Sequence, residues 1–131
     1  MNIYQENILD HYRNPRHYGT VAKPSFTIDE HNPFCGDQLH FEGRVEDGEL
    51  KELTFQGGGC AISLAAASLL AEYANGKSIE ELDNFSDAEM LEHLGVPLSP
   101  TRTKCGLLAI SGVRKGLKQY TEADVLHPNS H

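Results

Sequence analysis

The strongest constraint on how this chain folds is a change of hydrophobic period at Gly57-Gly58-Gly59-Cys60. Before the glycines, Leu39 to Val45 alternates apolar and polar residues, as a half-buried strand does, and Pro24 to Asp29 alternates weakly. Glu46-Asp47-Gly48-Glu49 reads as a turn, and Leu50 to Phe55 returns as the partner strand. From Cys60 onward Ile62, Ala65, Ala66, Leu69, Leu70 and Tyr73 fall on one helical face, and Asn75-Gly76 marks the stop. Ser78 to Glu81 and Ser86 to Glu89 each have the capping-box pattern that opens a helix. After the stiff connector Gly95 to Pro100, Arg102 to Tyr120 forms a last helix. At the other end, Asn2 to Arg13 reads as a short amphipathic helix closed by Asn14-Pro15. Strands first and helices after give an α+β fold, a small antiparallel sheet with helices packed on one side. The length of 131 residues fits a single domain, 1–131.

Charge narrows the partners. Eleven Lys and Arg against nineteen Asp and Glu leave a net charge of −8, which argues against nucleic acid because phosphate binding needs a basic footprint. The longest largely apolar stretch, Ala61 to Ala71, is well short of the ~20 residues that cross a bilayer, so no membrane association is expected. Nor does the N-terminus have the charged and apolar regions of a signal peptide. The expected setting is the cytoplasm, where cysteines stay reduced.

The chain has three cysteines, each at the edge of an element. Cys35 lies in the loop Pro33 to Asp37, Cys60 opens a helix behind three glycines, and Cys105 is placed in the first turn of the last helix. A helix N-terminus stabilises negative charge, so the second and third thiols should ionise readily. Asp37, two residues after Cys35, is either a turn former or an oxygen ligand completing a set of Cys35, Asp37, Cys60 and Cys105. Four such ligands suit tetrahedral zinc and equally the terminal positions of a [2Fe–2S] cluster. The seven histidines have no recognisable ligand spacing and read as surface or capping residues.

With these residues in place, the chain resembles the IscU/NifU-N-terminal/SufU family of iron–sulfur cluster assembly scaffolds along nearly its whole length. Asp10-His11-Tyr12-Arg13-Asn14-Pro15-Arg16 with Gly19 is similar to the family's DHYxNPR signature, and Asn32 to Asp37 resembles NPxCGD. Gly58-Gly59-Cys60-Ala61-Ile62-Ser63 resembles its GCxIS helix start, and Arg102-Thr103-Lys104-Cys105 its third-cysteine motif in SufU-type form. The resemblance implies a sheet of about three strands, with Cys35, Asp37, Cys60 and Cys105 converging at one end. It implies a scaffold rather than an enzyme, with no catalytic residue. Such a scaffold takes sulfur from a cysteine desulfurase, builds or holds a [2Fe–2S] cluster (or zinc when isolated) and passes the cluster to apo iron–sulfur proteins.

Cys35 and Cys105 are the candidate sulfur acceptors. Arg102 and Lys104 are expected beside the ligands, Arg102 as an ion-pair partner of Asp37 when no metal is held. The alternative implied by Arg102 and Lys104 is a SufU-type zinc-dependent sulfur acceptor. Three departures from the family pattern bear on the choice. Lys104 stands where IscU-type members carry a histidine, which puts more weight on Asp37 as the fourth ligand. The insertion usual in SufU-type members between the second and third cysteines is absent. Val96-Pro97-Leu98-Ser99-Pro100 replaces the IscU-type LPPVK motif, which weighs against recognition by the specialised Hsp70.

Overall fold

The computed structural model describes residues 3–33 and 36–126. Their elements run α1 (Ile3–Arg13), β1 (Phe26–Asn32), β2 (Asp37–Glu46), β3 (Glu49–Gly58), α2 (Ala61–Ala74), α3 (Ile79–Asp83), α4 (Asp87–Leu94) and α5 (Pro100–Leu126). The strands form one antiparallel sheet in the order β1-β2-β3. The fold is α+β, as the change of period implies.

Local chemistry accounts for the joints. Asp47 and Gly48 both take positive φ, +54° and +75°, which a tight hairpin between β2 and β3 requires. Asn75 caps α2 and pins it to the sheet, its Oδ1 accepting from the Leu53 amide at 3.2 Å and its Nδ2 donating to the Leu53 carbonyl. Both capping boxes form: the Ser78 and Ser86 hydroxyls accept from the amides of Glu81 and Glu89. The last helix begins at Pro100 rather than Arg102. Ser99 supplies the cap, its hydroxyl accepting from the Arg102 amide at 3.3 Å, and proline suits the first helical position because its missing N–H would have no partner there.

Alternation along β2 turns Leu39, Phe41 and Val45 toward the helices and leaves His40, Glu42 and Arg44 half-buried on the other face. Phe41 and Phe55 are fully buried at the centre, against α2 and α5. Helix α5 can lie close to the sheet because glycines face it. A Cβ on Gly116 would come within 2.5 Å of the Phe26 ring, and one on Gly112 within 3.3 Å of Phe41.

Helix α1 is clasped onto α2 by the N-terminal signature. The Ser68 hydroxyl on α2 lies 2.7 Å from His11 Nδ1 and accepts from the Arg16 amide at 2.8 Å, while Arg16 pairs with Asp10. His11 is therefore buried and structural, contrary to the surface or capping role its position suggested. Burial is the chief cause that holds its pKa below the ordinary imidazole value, with the nearby Arg16 charge adding to it.

Candidate functional site

Three chains of local logic meet at one end of the sheet. Asp37 is the first residue of β2, and its even-odd register puts the side chain on the helix-facing side, where it is fully buried. Cys60 is the N-cap of α2, its backbone extended at φ −75° and ψ 161°, so the chain leaves β3 and enters the helix at the thiol. Cys105 projects from α5 into the same space and is fully buried. One ligand atom from each of Asp37, Cys60 and Cys105 lies within 4.8 Å of the other two, and theirs is the one such group among the described residues.

Gly59 makes the approach possible. Its φ of +141° is a conformation that side chains rarely adopt, and a Cβ there would fall on Asp37 Oδ1 and lie 3.0 Å from Asp37 Cβ. In the space this leaves, Asp37 Oδ1 accepts from the Cys60 amide at 2.8 Å. The second carboxylate oxygen, Oδ2, is buried with no hydrogen-bond partner. Burial pushes the Asp37 carboxyl up, but the Cys60 amide, the Ser63 hydroxyl, the Cys105 thiol and the Arg102 charge together outweigh it, so its pKa lies below the ordinary value. For Cys60, burial and the Asp37 charge oppose ionisation, while the Ser63 hydroxyl, the Ser63 amide and Cys105 favour it and prevail. A buried carboxylate with an unused oxygen and two thiols facing it suits a cation that carries soft and hard donors together.

Several expectations change. Cys35, placed in the same ligand set, lies outside the described residues. Cys105 sits in the second turn of α5 and not the first, because that helix starts at Pro100. Arg102 forms no ion pair with Asp37 among the described residues. Its side chain is exposed on the first turn of α5, lining a groove of about 450 Å³ with Ile8, Ile62 and Leu98, and it acts on the buried carboxylate only through its field. Lys104 lies on the other flank, lining the cleft between β1 and α5 with Asn32 and Ser111.

Sequence reasoning passed over two residues here. Ser63 is fully buried, with its hydroxyl 3.5 Å from the Cys60 sulfur, and Asn32 is 6% exposed, with Nδ2 donating to the Cys105 sulfur at 3.8 Å. Both stand inside the NPxCGD-like and GCxIS-like motifs. The available signal was a polar residue on a strand end and on an otherwise apolar helix face.

An α+β fold that gathers two thiols and a carboxylate where a strand end meets two helices defines a small domain built around one candidate metal centre. The chain belongs to the NifU-like N terminal domain family, whose family model matches residues 3–126. It is 33% identical to the zinc-dependent sulfurtransferase SufU of Bacillus subtilis, over 88% of this chain and 89% of that protein. It is 31% identical to the iron–sulfur cluster assembly scaffold protein IscU of Haemophilus influenzae, over 89% of this chain and 94% of that one. Among solved structures, a hypothetical protein determined at 2.3 Å superposes with a TM-score of 0.79 at 28% identity, covering 88% of this chain and 97% of that one.

Proposed function

We propose that this chain, acting as one domain over residues 1–131, is a scaffold on which an iron–sulfur cluster is assembled and then handed to apo iron–sulfur proteins. Cys35, Asp37, Cys60 and Cys105 are the proposed ligands. The observation that carries this reading is that a carboxylate oxygen of Asp37 and the sulfurs of Cys60 and Cys105 lie within 4.8 Å of one another, while Asp37 Oδ2 is buried with no hydrogen-bond partner. Thiolates hold iron firmly, while the carboxylate is the weaker donor and the natural point of exchange. The Haemophilus relative, named as an iron–sulfur cluster assembly scaffold protein, supports the assignment.

Sulfur arrives as a persulfide on a cysteine desulfurase. A thiolate of this chain attacks the outer sulfur; the S–S bond to the desulfurase breaks, its cysteine leaves as thiolate, and the new persulfide stays on the scaffold. Cys35 and Cys105 are the proposed acceptors, Cys105 only after the cluster of side chains opens, because its thiol is buried. The chain supplies access and orientation; the desulfurase supplies the chemistry.

Anaerobic incubation with ferrous iron, cysteine, a desulfurase and a dithiol reductant, which with the iron supplies the electrons that take persulfide sulfur to sulfide, should produce visible absorption of a [2Fe–2S] cluster with matching iron and sulfide counts. Cys60→Ser and Cys105→Ser should each abolish a stable product, since a hydroxyl is a poor donor to a soft centre. Absence of any cluster on the unaltered chain, or full yield in both variants, would refute the proposal.

The second reading is a zinc-dependent sulfur acceptor, favoured by the identity to the Bacillus protein and by Arg102 and Lys104 ahead of Cys105. Against it, that alignment runs over 132 positions while taking in 88% of this chain, so some of its positions have no counterpart here. The alignment to the Haemophilus scaffold, 121 positions over 89%, needs far fewer gaps. Stimulation of a desulfurase that requires zinc on this chain, without cluster formation, would favour the zinc reading.

A further inference from the structure

We propose that Ser63 and Asn32 are positioning residues, each holding one sulfur of the candidate centre by a hydrogen bond that matters most when the sulfur carries charge. The inference rests on the ligand assignment above and adds the groups that orient the ligands.

The two donors reach the site from different elements. Ser63 is the third residue of α2, one turn beyond Cys60, and its hydroxyl comes 3.5 Å from the Cys60 sulfur. Cys60 occupies the N-cap position, so its sulfur sits at the helix end beside Ser63 of the first turn. Asn32 ends β1 directly opposite Asp37 in the ladder, and its amide reaches the Cys105 sulfur of α5 at 3.8 Å. Adjacent strand ends thus deliver a carboxylate to the ligand set and an amide donor behind it.

Burial gives the arrangement its meaning. Neither Ser63 nor Asn32 faces open solvent, and a buried polar side chain costs stability unless it is bonded. A neutral thiol is a weak acceptor, whereas a thiolate, free or bound to a metal, accepts strongly. An apolar residue at either place could fill the space. A donor at each place instead does its work when the thiols are deprotonated, orienting both sulfurs and withdrawing electron density from them.

Cobalt(II), added anaerobically in place of zinc, tests this by affinity and by the energy of its thiolate-to-metal charge-transfer band. Ser63→Ala and Asn32→Leu should each weaken cobalt binding by roughly 10- to 100-fold and move that band to lower energy. Urea unfolding of the metal-free chains identifies any variant that has lost its fold, and the smaller change, Ser63→Ala, then decides. If the unaltered chain binds cobalt and both folded variants match it in affinity and band energy, the positioning role is wrong and the ligand assignment stands. Weakened binding with an unmoved band would reduce the two residues to packing and overturn the proposal. If the unaltered chain binds no cobalt, the ligand assignment fails and takes this inference with it.

Discussion

Replacing Gly59 by Ala would push a methyl group into the Asp37 carboxylate. The backbone at Gly59 has φ +141°, and the added carbon would fall on Asp37 Oδ1 and come within 2.9 Å of Asp37 Cα, which is main chain and cannot swing aside. Holding a non-glycine residue in that conformation costs about 1–3 kcal/mol. Displacing the carboxylate breaks its bond to the Cys60 amide, a charge-assisted contact of 2.8 Å whose loss costs about 1.5–3 kcal/mol. The sum, about 2.5–6 kcal/mol, is a large share of the roughly 5–15 kcal/mol that holds a domain together. Urea unfolding of the metal-free chain measures it directly. The neighbouring Gly58→Ala is the control, since a Cβ there meets nothing within 4 Å, and its stability should stay within about 0.5 kcal/mol of the original. Zinc affinity should fall in the Gly59 variant and hold in the control. Equal midpoints for the two variants would refute the claim that Gly59 exists to admit Asp37.

Other outcomes follow from the same geometry. His40 lies between Glu42 at 2.9 Å and Asp29 at 2.8 Å, and the Glu42 bond is the chief cause raising its pKa, against a smaller opposing effect of burial. Its contribution should be complete below about pH 6.5 and disappear as pH rises through the raised folded value. The stability difference between the original chain and His40→Gln should therefore shrink with rising pH; a flat difference would contradict this, and taking the difference cancels the opposite trend of buried His11. Ser68→Ala leaves His11 and the Arg16 amide without their shared partner and should cost about 1–3 kcal/mol in urea unfolding. Gly116→Ala should destabilise by about 1–3 kcal/mol despite alanine's better helix propensity, because its methyl meets the Phe26 ring; a stabilised variant would mean that α5 can slide over the sheet.

Features carried by near neighbours could be read from the residues alone. The alternation of β2, the Asp47-Gly48 turn, both capping boxes and the Asn75-Gly76 stop each depend on positions a few residues apart, so they appear in the order of the amino acids. The motifs also marked Asp37, Cys60 and Cys105, though not how they meet. Ser99-Pro100 is itself a helix-start signal, and the helix it opens places Cys105 in the second turn of α5. Tertiary packing decided the rest. Asp37 reaches the Cys60 amide across 23 positions and Asn32 reaches Cys105 across 73, and no periodicity encodes such distances. The same holds for His11, a histidine near a helix end until Ser68 of another helix covers it. Local order follows from backbone sterics and short-range hydrogen bonds. The site arises only when burying the apolar faces of α2 and α5 brings their polar ends against one end of the sheet.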